Sequence, residues 1–224
     1  MNEHKLDNSV WHSLIEAHQH LAVSYRNIRF YHPDYCPFGA FENSAGISEG
    51  IDSYSKLCDN FYVVGEKPTY SESLILKNEL ICNQMIIDSR IKTDIIESII
   101  KLGEEHQREL FDLVNLVQPG YFRKKTALLG DYYGIFKNHQ LIAVTGERMQ
   151  MNDLIEVSAV VTHPDHTGKG YASQLIAHAV NQIFDSGKMP FLHVASSNTG
   201  AIRLYEKLGF KTRRKISFWN LITT

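Results

Sequence analysis

At 224 residues the chain exceeds one average domain and falls short of two large ones, so one extended domain or two small halves are expected, either able to bury a core. A hydrophobic fraction of 43% beside 21% charged residues excludes a disordered chain and a coiled coil. A net charge near −2, with basic runs only at Arg123-Lys124-Lys125 and Arg213-Arg214-Lys215, argues against a nucleic-acid binder, and no apolar run is long enough to span a membrane. The first residues lack the apolar stretch of a signal peptide, so the expected location is the cytoplasm. Cys36, Cys58 and Cys82 are far apart, odd in number and never in a C-x-x-C pair, which reads as reduced thiols.

In chain order, residues 9–24 place Val10, Trp11, Leu14, Ile15, Ala17, Leu21 and Ala22 at helical spacing, predicting an amphipathic helix capped by Ser9. Residues 31–50, rich in proline, glycine and aromatics, predict a loop before a helix near residues 53–58. Tyr31, Tyr35, Phe38 and Phe41 line an acceptor pocket or, as the preferred reading, plug their own core. Short strands are expected at 61–64 and 84–87, and a helix at 104–117 that Pro119-Gly120 ends. Residues 132–148 predict a hairpin turning at 137–140, and the β-branched run 154–162 a third strand. A helix at 171–184, a strand at 191–195, a helix at 199–208 and a strand at 210–219 complete a mixed α/β sheet.

The chemistry-bearing segment is the turn H-P-D-H-T-G-K-G-Y-A at 163–172. Gly168, Gly170 and Ala172 at a strand-to-helix turn let a ligand approach the backbone, and the first amides of the helix are left without intrachain partners. Such a turn favours a phosphate or pyrophosphate, with Lys169 adding charge outside the amide cradle. Neither the P-loop nor the complete dinucleotide fingerprint is present. His163 and His166 have no third ligand in sequence, so no metal is expected.

About thirty residues on, N-T-G-A-I-R-L-Y-E-K-L-G-F at 198–210 joins a capped helix to a last strand. Strand, H-P-x-x-x-G-x-G-x-A, helix, strand and N-x-x-A-x-x-L-Y-x-K-x-G-F together resemble the GCN5-related N-acetyltransferase (GNAT) superfamily, in details its FR47-like branch. The resemblance covers roughly residues 85–220; P-G-Y-F at 119–122, G-E-R at 146–148 and P-F-L-H at 190–193 are similar to a group of bacterial acetyltransferases.

The resemblance implies an α/β GNAT fold with a mixed, twisted central sheet flanked by helices in residues 86–224. Residues 1–85 would then be an α/β extension, either a degenerate GNAT-like half or a lid over the acceptor site. It also implies acetyl-CoA as cosubstrate and an amine acceptor, acetylated by direct attack in a ternary complex; a catalytically idle acyl-CoA-binding or sensing module is the alternative. Val160 and Thr162 would pair with the pantetheine arm. The amides of Thr167, Gly168, Lys169, Gly170, Tyr171 and Ala172 would hold the pyrophosphate, with Thr167 standing where the family usually has Gln or Arg. Asn198 would contact the cofactor, although as a bare residue it is equally a helix cap. Tyr205 would protonate the departing thiolate, against a reading as a core aromatic. Glu156 is the candidate base, its carboxyl pKa expected to be raised by burial, with alternation placing Glu156, Ser158 and Val160 on one face. His193 is a second candidate base or a packed core residue.

Overall fold

The computed structural model describes residues 3–224. Among them, eleven strands form one sheet: β1 (Ala22–Tyr25), β2 (Ile28–Tyr31), β3 (Phe38–Phe41), β4 (Asn60–Val64), β5 (Leu74–Ile86), β6 (Ile99–Lys101), β7 (Tyr132–Lys137), β8 (Gln140–Gln150), β9 (Leu154–Thr162), β10 (Met189–Ala195) and β11 (Lys211–Thr223). Their order across the sheet is β1-β2-β3-β4-β11-β5-β10-β9-β8-β7-β6. The helices are α1 (Ser9–Ile15), α2 (Ile47–Ser55), α3 (Gln107–Val117), α4 (Tyr171–Asp185) and α5 (Thr199–Lys207).

The second half follows its hydrophobic pattern. β9 has the expected bounds, and α4 buries two ridges at once. Tyr171, Leu175 and Ala179 pack with Tyr133, Ile135 and Ile142 of β7 and β8. Ile176, Val180 and Ile183 pack with Ile155, Val157 and Leu192 of β9 and β10. Each such aliphatic side chain contributes about 1.5–3 kcal/mol by leaving water, which fixes the helix over the strands it connects.

The first half departs from expectation. The helix predicted over 9–24 stops at Ile15, and Asn8, not Ser9, occupies the position before it; Ser9 is buried in the first turn. The chain turns back because His18 is drawn inward: its amide bonds the carbonyl of Ser13 (2.9 Å) and its ring is buried against Tyr31. The stretch read as loop contains β2 and β3, and the helix expected near 53–58 begins earlier, at Ile47. Strands of four residues are too short to show period-two alternation, so helical spacing ran through β1 unnoticed. β5 is far longer than the expected 84–87, because its polar centre, Lys77-Asn78-Glu79, is held in register by β11 from Leu74↔Thr223 to Ile86↔Lys211.

The two flanks repeat one path. β7, β8 and β9 run antiparallel, α4 crosses over, and β10 lies parallel to β9. β1, β2 and β3 likewise run antiparallel, α2 crosses over, and β4 lies parallel to β3. The long antiparallel pair β5–β11 separates them. The aromatic face of the first flank is filled by its own side chains: Phe30 stacks on Tyr54 (3.9 Å between ring centres), with Phe61 against both.

Candidate active site

β9 and β10 pair only from Leu154↔Met189 to Glu156↔Phe191 and then part. Beyond that point β9 carries a bulge: Val161 faces Val144 but Ser158 faces Gly146, so β9 has one residue more than β8. Ala159 takes the strain with φ of +51°, a left-handed conformation costing an alanine about 1–2 kcal/mol. The bulge bends β9 away from β10 and breaks the expected alternation of Glu156, Ser158 and Val160.

A cleft of about 410 Å³ opens where the strands separate. Ser158 and Val160 of β9, His193 and Ala195 of β10, and Asn198, Ala201 and Tyr205 at α5 line one part; Phe38, Tyr121, Phe122, Arg148 and Phe218 line another. Thr162 lies farther along β9, half-buried and outside this lining.

The turn after β9 ends at the N-terminus of α4. Gly168 and Gly170 both have φ of +77°, which an L side chain rarely adopts, and a Cβ at either would meet no protein atom within 4 Å. The backbone N–H groups of residues 168–173 have no acceptor among the described residues; the first bond into the helix runs from Gln174 N–H to the Gly170 carbonyl (3.4 Å). These open amides and the positive end of the α4 dipole, about half an elementary charge, face the same free space. Thr167 differs from expectation: its amide and its hydroxyl both turn back to the Pro164 carbonyl (3.5 and 3.1 Å), so the open row starts at Gly168 and extends to Ser173. Tyr171 and Ala172 contribute amides to the row; the Tyr171 ring is buried against β7 and β8, and Lys169 is exposed at the rim.

Asn198 caps α5, its Oδ1 accepting the Ala201 N–H at 3.1 Å, which leaves its amide group toward the cleft. Tyr205, about two turns along α5 from that cap, is buried among Phe210 and its neighbours, and desolvation pushes its hydroxyl up to about 12. That hydroxyl makes no hydrogen bond to the described residues and is therefore a neutral donor at pH 7.

Glu156 is fully buried and lies outside the cleft lining. Arg148 grips it with two bonds, Nε to Oε2 at 2.8 Å and Nη2 to Oε1 at 2.6 Å, and His193 Nδ1 approaches Oε1 at 2.8 Å. Desolvation alone would raise its pKa, as the sequence led us to expect; the charge and hydrogen bonds of Arg148, with the bond from His193, reverse this and hold the carboxyl at about 2. A carboxylate so stabilised is a poor proton acceptor. His193 is no freer. Arg213 Nη1 donates to Gln84 Oε1 (3.0 Å), which turns the Gln84 amide nitrogen toward His193 Nε2 (3.0 Å) and leaves Nδ1 as the proton-bearing nitrogen facing Glu156. His163 and His166 sit in the turn, His163 Nδ1 accepting the Asp165 N–H at 3.3 Å.

Arg148 and Gln84 escaped the sequence reading as site residues, although Arg148 left a signal. It ends the second strand of the predicted hairpin and stands eight residues before Glu156 on the predicted third strand, a spacing that sets opposite charges side by side if those strands pair.

Comparison with known proteins agrees with this geometry. A family model of FR47-like proteins matches residues 132–219. A crystal structure from Novosphingobium aromaticivorans, described as a GNAT-family acetyltransferase, is 32% identical, with 99% of each chain covered and a TM-score of 0.87. A GCN5-related N-acetyltransferase from Kribbella flavida (12% identity, 98% of this chain and 94% of that one, TM-score 0.62) shares the fold. So does a GCN5-related N-acetyltransferase-like protein from Streptococcus suis (15%, 96% of each, 0.63). A search of curated protein sequences gives no match. With full-length similarity at that identity, and the bulged strand, splayed pair and glycine turn in place, the chain belongs to the GNAT family of acetyltransferases.

Proposed function

We propose that the protein transfers the acetyl group of acetyl-CoA to a primary amine by direct attack within a ternary complex. The observation that carries this reading is the row of open amides at residues 168–173, set where β9 and β10 part. The row matches a pyrophosphate in charge and donor count, and Val160 and the free edge of β9 lead from it toward Tyr205. The pantetheine arm would run along that edge, with Thr162 near its outer end and the Asn198 amide beside it.

In the reaction the acceptor nitrogen forms its bond to the thioester carbonyl as the C–S bond breaks. Tyr205 gives its proton to the departing sulfur as the C–S bond breaks, so that the cosubstrate leaves as a neutral thiol rather than as a thiolate. The proton lost by the amine leaves through water in the cleft and restores Tyr205. Glu156 then acts as a positioning residue, orienting Arg148 and His193, rather than as the base. The absence of a free carboxylate or imidazole among the described lining residues also favours a second reading, an acyl-CoA-binding module without turnover. No described helix is long and apolar enough to cross a membrane, and we place the activity in the cytoplasm.

Calorimetry with acetyl-CoA tests the cofactor site. The wild type is expected to bind, and Gly170→Asp, which sets a carboxylate against the amide row, to lose affinity by more than about tenfold. Failure of the wild type to bind removes the acetyltransferase reading. Binding without thiol release across a panel of amines favours the idle module.

A further inference from the structure

Arg148 is the one formally charged residue among the described residues that line the cleft, and no aspartate or glutamate lines it. Its side chain keeps 14% of its surface. Nε and Nη2 are spent on Glu156, whereas Nη1 has no partner among the described residues and is not sealed from the cleft. Glu156 lies wholly behind the guanidinium, so the ion pair turns only N–H groups outward. Its plane is held from the other side by the Phe38 ring, 4.7 Å from the guanidinium carbon to the ring centre. Phe38 packs edge-on to Phe218, 5.3 Å between ring centres, and both line the cleft, as do Tyr121 and Phe122.

Resting on the acetyl-transfer reading above, we propose that the acceptor is a small amino acid with an apolar or aromatic side chain, whose carboxylate is received by Arg148 Nη1. A polycationic acceptor would enter a cleft whose described lining offers no carboxylate, leaving its charges unpaired. A carboxylate meets a charge-assisted donor pre-oriented by Glu156, while the apolar side chain leaves water against these aromatic rings. An α-amino acid also sets its nitrogen a short, fixed distance from the carboxylate, so anchoring the one aims the other at the thioester. Arg148 is thus a specificity residue, and Glu156 positions it.

The test compares matched pairs, phenylalanine with phenylalaninamide and leucine with leucinamide, in the acetyl-CoA-loaded protein. Thiol release gives kcat and KM, and calorimetry gives binding where turnover is slow. The free acids are expected to exceed the amides by about tenfold or more in kcat/KM or affinity. Arg148→Lys, which keeps a partner for Glu156 but loses the second edge of the fork, is expected to raise KM for the acids by a larger factor than for the amides and so to narrow the preference for the acids. A protein that binds acetyl-CoA yet shows no preference for the acids, or accepts neither, overturns this proposal alone. A protein that does not bind acetyl-CoA overturns the acetyl-transfer reading with it.

Discussion

Tyr205 is the residue whose chemistry the fold changes most usefully. In sequence it sits at core spacing from Ala201 and Leu208, and in the structure it is both things at once: a packed ring and a hydroxyl at the edge of the cleft. Burial holds it protonated to about pH 12, so it is a donor throughout the physiological range. Tyr205→Phe keeps the packing and removes the proton. The expected outcome is a fall in kcat of about 10²–10⁴, with the acetyl-CoA dissociation constant within about twofold of wild type. Equal kcat values would remove it from the acid role. Glu156 teaches the opposite lesson. Its place in a strand suggested a carboxyl pushed upward, but Arg148, invisible as its partner in a linear reading, reverses the sign.

At the scale of elements, α5 and the turn before α4 each carry a local structural demand and a ligand surface. Asn198 illustrates how the two separate. Its Oδ1 caps α5, worth about 1 kcal/mol, while its amide nitrogen is the group offered to a cofactor. Asn198→Asp preserves the cap and deletes the donor; Asn198→Ala deletes both. Thermal denaturation is expected to show Asp near wild type and Ala destabilised by about 1 kcal/mol, while both variants weaken acetyl-CoA binding. If Asp binds acetyl-CoA as the wild type does, the residue is a cap and nothing more. The turn itself was legible because Gly168 and Gly170 are demanded by backbone geometry; that Thr167 folds back on Pro164 and that Ser173 joins the amide row depends on hydrogen bonds that a motif does not record.

At the scale of the whole molecule, the two flanks are joined covalently and by the sheet, since β11 pairs with β4 of one flank, β5 with β10 of the other, and β5 and β11 with each other. Residues 22–64 follow the β7–β10 path, and Phe30, Tyr54 and Phe61 pack on one another within it. A buried polar cluster helps fasten the first half to the rest. His18 Nδ1 meets the Tyr31 hydroxyl (2.9 Å), Nε2 donates to the Leu129 carbonyl (3.0 Å), and Ser13 Oγ donates to the Gln150 carbonyl (2.9 Å). Desolvation lowers His18 to about 4 against 6.5 for a free imidazole. Its stabilising share is therefore complete above pH 6.5 and is lost as pH falls toward 4, because the unfolded chain takes up a proton that the folded one refuses. The loss amounts to about 3 kcal/mol by pH 4. Urea denaturation across this range is expected to show that decline in the wild type and a flatter profile in His18→Gln; parallel profiles would mean that His18 does not couple folding to pH. By itself the sequence determined the second half almost completely, from the hairpin at 132–148 to the glycine turn, α4, α5 and the family to which they belong, because those features rest on periodicity and backbone sterics within a few residues. Only the tertiary structure decided the short strands β1–β3, the length of β5, the grip of Arg148 on Glu156 and the carboxylate-free lining of the cleft. Each of these arises between residues far apart in sequence, where burial and charge pairing, not local propensity, set the outcome.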